Sequence, residues 1–106
     1  MASSIIRYPC TLRTLGAIVA ATGTPVQLNV TTLPFIKAIF VGVKGPRTNN
    51  TGTVYLGIGG SNDSQFIPIA AGTLLSLEAP QPQYFDFSHL WLDAATAGDG
   101  VLVFYS

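Results

Sequence analysis

The chain has 106 residues, of which only 9% are charged, and its five positive side chains balance five negative ones. A typical soluble domain has roughly 25% charged residues, so this chain is poor in charge. The balance excludes long-range attraction to nucleic acid or to an anionic membrane surface. Because a protein with so little charge tends to self-associate, we expect part of its surface to be covered by a partner or by further copies of the chain.

The single cysteine, Cys10, rules out an intramolecular disulfide and a zinc site built from several cysteines. The apolar run Leu15–Ala21 follows Arg7 and Arg13, but its length lies at the lower limit for the hydrophobic region of a signal peptide. No segment approaches the roughly 20 apolar residues of a membrane-spanning helix. We predict an unprocessed protein with no signal peptide, made in the cytoplasm, with no membrane or nucleic-acid partner and no cofactor.

Short apolar segments alternate with Gly, Pro, Asn and Asp along the chain, in the spacing typical of a sandwich or barrel. Proline and glycine end these segments because proline lacks the ladder N–H and glycine favours positive φ. No helix of ordinary length fits, although Leu12–Ala21 could form a short one. The nine candidate strands are Thr11–Ala20, Pro25–Val30, Phe35–Lys44, Thr53–Ile58, Gln65–Ala70, Thr73–Leu77, Tyr84–Phe87, Leu90–Ala94 and Gly100–Tyr105.

This pattern predicts an all-β fold, a single antiparallel β-sandwich or jelly-roll-like domain of about eight short strands. The sandwich would occupy residues 11–106, and residues 1–10 would form an N-terminal arm. Alternation along the strands predicts an inward-facing set. Its members are Val54, Leu56, Ile58, Leu75, Leu77, Leu90 and Leu92.

Two of the candidate strands, Phe35–Lys44 and Gly100–Tyr105, are apolar on both faces. Such strands need cover on both sides. A sandwich of this size has few places where its own chain supplies that cover. One outer face of these two strands is therefore a candidate subunit contact.

The segment NNTGTVYLGIGG, Asn49–Gly60, invites comparison with phosphate-binding loops. A dinucleotide-binding fingerprint needs a helix after its glycines, and a P-loop needs Lys followed by Ser or Thr; the sequence has neither here. The Asn-x-Ser/Thr triplets at Asn29, Asn49 and Asn62 need a secretory route to become glycosylated. We predict that Gly45–Gly52 is a loop joining two strands and that it binds no cofactor.

The segment YFDFSHLWLD, Tyr84–Asp93, raises the question of a catalytic triad or a metal site. On a strand, Ser88 and His89 point to opposite faces. His89 and Asp93 then lie about 13 Å apart at roughly 3.3 Å per residue, too far to share one ion. A helical segment would make His89 and Asp93 neighbours and restore the metal hypothesis. We predict no catalytic residue, no metal site and no enzymatic activity.

Aromatic side chains in the same segment allow two further interpretations. Tyr84 and Trp91 could present flat rings to a sugar, which would make the chain a carbohydrate-binding module. Four aromatic residues within eight positions equally suit a core or a protein interface.

Several segments in order carry a family resemblance. They are TGTPVQLN (Thr22–Asn29), NNTGTVYLGIGG (Asn49–Gly60), IAAGTLLSLEAP (Ile69–Pro80) and FSHLWLDAATAGDGVLVFYS (Phe87–Ser106). Together they resemble small β-sandwich virion proteins of tailed bacteriophages, over about three-quarters of the chain from Thr22 onward. The KGPRTNN loop and the first eleven residues have no counterpart in that pattern.

The resemblance implies a capsid decoration (cement) protein, made in the host cytoplasm and located in the virion. It implies a homo-oligomer, with a trimer favoured, that bridges subunits of the phage major capsid protein. Related sandwiches also serve in tail, baseplate and fibre assemblies, which is the alternative, and no catalytic residue comes with the resemblance. The interface candidates are Ile5 and Ile6 in the arm, and Phe40, Trp91 and Phe104 in the sandwich.

Overall fold

The computed structural model describes residues 12–61 and 64–106. Within them the chain forms twelve strands and one short 3-10 helix, η1, at Phe87–His89. The first six strands are β1 (Arg13–Ile18), β2 (Val26–Gln27), β3 (Pro34–Phe35), β4 (Lys37–Val41), β5 (Val43–Gly45) and β6 (Thr48–Asn49). The remaining six are β7 (Val54–Gly57), β8 (Gln65–Ile69), β9 (Leu74–Glu78), β10 (Phe85–Asp86), β11 (Trp91–Ala94) and β12 (Gly100–Tyr105). The predicted all-β fold is confirmed.

Two four-stranded antiparallel sheets dominate the fold. Sheet I has the order β1-β12-β4-β9, and sheet II has the order β2-β11-β7-β8. In these two sheets β1 pairs with β12, β2 with β11, β4 with β9 and β7 with β8. Counted along the chain, the outermost strands of the eight pair with each other, then the next two inward, and so on to the central hairpin. A nested hairpin rolled up in this way is the jelly-roll arrangement of two Greek keys.

Aromatic rings fill the space between the sheets. Phe35 stacks on Phe87 with ring centroids 4.0 Å apart, and Phe40 meets both rings edge-on at 6.4 and 6.3 Å. Tyr105 contacts Phe87 edge-on at 4.9 Å. Offset and edge-to-face pairs of this kind add stability beyond the area that they bury.

The alternation predicted for most strands is confirmed. Val101, Val103 and Tyr105 are buried in the core, whereas Leu102 and Phe104 on the opposite face of β12 are half-buried. Other inward predictions that hold are Val54, Leu56, Leu90 and Leu92, which are buried, and Leu75 and Leu77, which are half-buried.

Ile58 was predicted to face the core and is instead 76% exposed. β7 ends at Gly57, so Ile58 lies just beyond the paired strand, where the alternation of the sheet no longer directs its side chain. The register shift between Leu56 and Gly57 places an extra residue, Phe66, on β8. The close approach of the Ser64 carbonyl oxygen leaves no room for a side chain at Gly57.

The predicted strand Phe35–Lys44 is divided into β3, β4 and β5. The first break is at Ile36, whose N–H donates to the carbonyl oxygen of Ser106 at 2.8 Å. The second is at Gly42, where an added Cβ would lie 2.6 Å from the carbonyl oxygen of Ala70. The break at Ile36 brings both Phe35 and Phe40 inward, although strict alternation would place them on opposite faces.

Two smaller corrections concern segment type. The predicted loop Gly45–Gly52 contains the strand β6. This strand pairs antiparallel with β5, and the chain turns between them at Pro46 and Arg47. The alternative helix at Leu12–Ala21 is wrong, because Arg13–Ile18 is a strand paired with β12 along its whole length.

Candidate functional site

The outer surface of sheet I carries an ordered set of apolar side chains that face away from the core. We call it face I. Its apolar members are Ile18, Ile39, Val41, Leu74, Leu102 and Phe104, and its remaining members are Thr14, Gly16, Lys37, Ser76 and Glu78. Lys37 and Glu78 are opposite each other at one end, so the face has charges of both signs but no excess of either.

Strand register orders face I into rows that run across the sheet. One row joins Gly16, Leu102, Val41 and Leu74, each paired with the next. The neighbouring row joins Thr14, Phe104, Ile39 and Ser76 in the same manner. The apolar side chains therefore form a continuous band over the two central strands, with a small residue at the β1 end of each row. A flat band of this kind suits contact with another surface, and not the enclosure of a small ligand.

The predicted interface residues have different locations. Phe104 is half-buried at the centre of face I. Phe40 is fully buried among the core aromatics, so its prediction as an interface residue is wrong, because β4 turns this ring inward. Ile5 and Ile6 lie outside the described residues.

Trp91 is half-buried on the outer surface of sheet II. A Cβ added to Gly60 would lie 3.2 Å from Cη2 of the Trp91 ring, so the backbone of the glycine loop covers part of the indole. The glycines of Asn49–Gly60 thus serve packing: Gly57 makes room for the neighbouring strand and Gly60 for Trp91. Only the tertiary structure reveals this contact, because Gly60 and Trp91 are far apart in sequence.

Sequence reasoning missed Leu74 as a surface contact residue. Its side chain is 67% exposed at the β9 end of the apolar row. The signal was present in the alternation, because inward-facing Leu75 and Leu77 require Leu74 to point outward. An exposed leucine taken singly is ordinary, and the register that aligns it with Val41 and Leu102 is a property of the sheet.

Tyr84, proposed with Trp91 as a sugar platform, is 63% exposed. It borders a cavity of about 310 Å³ whose other lining residues are Pro34, Phe35, Ile36 and Ser106. Trp91 does not line this cavity, nor the cavity of about 330 Å³ between β7, β8, β9 and η1. The structure therefore does not join the two rings in either cavity.

The two aspartates of Tyr84–Asp93 serve local structure. Oδ1 of Asp86 accepts hydrogen bonds from the backbone N–H of Leu33 at 3.0 Å and of Ser88 at 2.9 Å, which caps η1. Oδ1 of Asp93 accepts from the N–H of Gly23 at 3.0 Å. Within residues 12–61 and 64–106, no three His, Cys, Asp or Glu side chains are grouped to hold a metal ion.

The Asp86 cap predicts a pH dependence of stability. The hydrogen bond from Leu33, followed by that from Ser88, holds the pKa of the Asp86 carboxyl below its ordinary value. A lowered pKa stabilises the fold above the unfolded-state pKa of about 4, and this contribution is lost as pH falls through the folded-state pKa. We expect the stability difference between wild type and Asp86→Asn, from urea unfolding, to be constant above about pH 5 and to shrink below about pH 4. A difference that grew on acidification would contradict this assignment.

A buried carboxylate organises the start of the glycine segment. Asp99 is fully buried, and its two oxygens accept from the N–H of Thr51 at 2.9 Å and of Gly52 at 2.7 Å. Asn50 pairs with the backbone of Gly100 through both a donated and an accepted bond, at 2.8 and 3.0 Å. Lys44 Nζ lies 3.9 Å from Asp99 Oδ1. Thr51 and Gly52 belong to the connection between β6 and β7, Lys44 belongs to β5, and Asp99 directly precedes β12. The cluster ties these three segments together, so its role is structural.

Comparison with known proteins supplies no relative for the chain. No protein-family model matches it, and neither the curated proteins nor the solved structures include a significant match. Within the described part of the chain, no helix is long and apolar enough to cross a membrane.

Proposed function

We propose that this protein is a structural virion protein, a decoration protein of tailed-phage capsids that acts by contact and not by catalysis. The observation that carries the proposal is face I, a flat apolar band on a jelly-roll sandwich whose chain is only 9% charged. Jelly rolls occur in viral capsid proteins and also in lectins. The segments that resemble phage sandwich proteins favour the capsid over the lectin, and Tyr84 and Trp91 do not share either cavity.

In this proposal the chain forms a homo-oligomer and binds the phage major capsid protein in the virion. Each contact is small, but many copies bind one shell, and linked weak contacts gain strength through effective concentration. The low charge suits this task because neighbouring copies do not repel each other over long distances. The mechanism needs no cofactor and no reactive side chain.

The experiment is binding of the full chain to undecorated heads purified from the phage that carries it, followed by sedimentation of the particles. We expect saturable binding, and an at least tenfold weaker affinity for Phe104→Asp, because a buried unpaired carboxylate in an apolar contact costs several kcal/mol. The matched control is Val30→Asp, whose site is 81% exposed and lies outside face I.

Two outcomes would contradict the proposal. Wild-type protein that does not sediment with the heads removes the decoration role. Specific binding on a glycan array that is lost in Trp91→Ala, with no affinity for heads, would instead establish the fibre or carbohydrate-binding alternative.

A further inference from the structure

Nothing in the described part of the chain requires a glycine at position 16. A Cβ added to it would have its nearest neighbour, the carbonyl oxygen of Val101, at an ordinary 3.9 Å. By contrast, position 42 requires glycine because an added Cβ would lie 2.6 Å from a backbone oxygen, and position 98 requires it because its φ is +91°. Glycine within a strand weakens it, and often marks a place where another group approaches closely. At Gly16, residues 12–61 and 64–106 supply no such group.

The position of Gly16 on face I shows what could approach. It occupies the β1 end of the apolar row, on the outer surface of an edge strand, and leaves a notch beside Leu102. Leu74 occupies the opposite end of the same row, and at 67% exposure it is the most exposed apolar side chain of face I. The row therefore has a notch at one end and a protruding side chain at the other.

A two-fold axis brings these ends together. Consider an axis parallel to the strands that passes between β12 and β4, in the plane of contact. Rotation about it places β1 of one copy over β9 of the other and β12 over β4, with each row facing itself in reverse. Leu74 then meets Gly16 of the second copy and Leu102 meets Val41. In the neighbouring row Phe104 meets Ile39, and the small polar Thr14 and Ser76 face each other. Aligned sheets pack in this manner at a separation of about 10 Å.

We propose that two copies of this chain associate through face I about this two-fold axis, with Leu74 of each copy seated in the Gly16 notch of the other. The proposal rests on the contact role proposed above for face I, and it specifies the partner as a second copy and the symmetry as isologous. The contact is two-fold, so a trimer would have to be built through a different surface.

The size of the face sets the strength to expect. Four strands about 4.8 Å apart and three rows about 7 Å apart, the third being the row of Lys37 and Glu78, give a flat area of roughly 400 Å² per copy. Both copies together then bury about half of the roughly 1,600 Å² of a standard stable interface. We therefore expect a weak dimer, with a dissociation constant between about 1 μM and about 1 mM.

The experiment is a size exchange across the contact, read by sedimentation equilibrium of the full chain up to about 1 mM. Gly16→Leu fills the notch and Leu74→Ala removes the protruding group, and we expect each to raise the dissociation constant at least tenfold. The double variant Gly16→Leu/Leu74→Ala exchanges the two ends of the row, so we expect it to recover most of the lost affinity. Ile58→Ala is the matched control, because Ile58 is 76% exposed but lies at the end of sheet II.

Urea unfolding of each variant at a concentration where the chain is monomeric shows whether it folds. We expect Gly16→Leu to be no less stable than wild type, because its Cβ has space in the single chain. A wild-type protein that is monomeric at about 1 mM, or that forms only trimers, would overturn the proposal. So would single variants that weaken the dimer without recovery in the double variant. Sedimentation of the wild-type protein with heads tests the decoration role separately, whereas Phe104→Asp lies on face I and would weaken both contacts.

Discussion

Replacing Phe40 with alanine is expected to lower the free energy of unfolding by about 3–5 kcal/mol, a large part of the 5–15 kcal/mol of a typical domain. Phe40 is fully buried and lies edge-on to both Phe35 and Phe87. Its removal leaves a cavity lined by rings that the two sheets hold in place, so relaxation recovers little of the loss. The measurement is urea unfolding monitored by intrinsic fluorescence at low protein concentration.

The control for this prediction is Phe104→Ala, which removes the same side chain from the other face of the same sheet. Phe104 is half-buried on face I, so we expect the monomer to lose only about 1–2 kcal/mol. Equal losses for the two variants would mean that Phe40 and Phe104 do not occupy the interior and exterior faces described above.

Replacing Asp99 with alanine is expected to cost about 2–5 kcal/mol. The substitution leaves the N–H groups of Thr51 and Gly52 without their acceptor in the interior, and each unsatisfied buried donor costs about 1–3 kcal/mol. The effect is local in origin, because these two residues anchor the connection that leads into β7. Thermal unfolding of the variant, compared with wild type at the same pH, measures this loss of stability.

Asp99→Asn separates the charge from the shape. Its amide keeps one acceptor oxygen but turns an N–H₂ group toward the other donor, so we expect most of the loss to remain. A nearly wild-type stability for Asp99→Asn would show that the two backbone bonds contribute little. Thr96→Ala, close to the same loop but not an acceptor for Thr51 or Gly52, is the matched control.

The two stability predictions bear on the proposed function through rigidity. A flat contact face works only if the sheet beneath it keeps its register, and both Phe40 and Asp99 act on the structures that fix this register. Phe40 lies on the inner side of β4, whose outer side carries Ile39 and Val41. Asp99 immediately precedes β12, which carries Leu102 and Phe104. Variants at these sites should weaken association only to the extent that they unfold the domain, whereas variants of face I should weaken it in the folded state.

The sequence was sufficient wherever the information is local. Alternation placed Leu75 and Leu77 inside, and it put Val101 and Val103 on the face of Gly100–Tyr105 opposite Phe104. Period-two patterning is a property of the extended backbone itself, so it survives in any sheet to which the strand is added. The all-β fold class follows from the same patterning together with the frequent turn residues.

Prediction failed where a strand departs from regular alternation. Phe40 was assigned to an interface because its strand is apolar on both sides, and the sequence does not state which side faces the other sheet. The break at Ile36, where β3 gives way to β4, depends on a hydrogen bond to Ser106 at the far end of the chain. Ile58 is exposed because β7 ends at Gly57, and that end depends on how closely Gly57 meets the backbone of Ser64 and Gln65.

The sequence by itself determined that this protein is a charge-poor, all-β chain, because composition and alternation are carried by each residue and its near neighbours. Only the tertiary structure decided which apolar residues form a surface. Gly16, Leu102, Val41 and Leu74 come from four strands spread over most of the chain, and they form one row because antiparallel pairing fixes their register. Register is set by long-range pairing between strands and by the packing of one sheet on the other, so it belongs to the folded molecule as a whole.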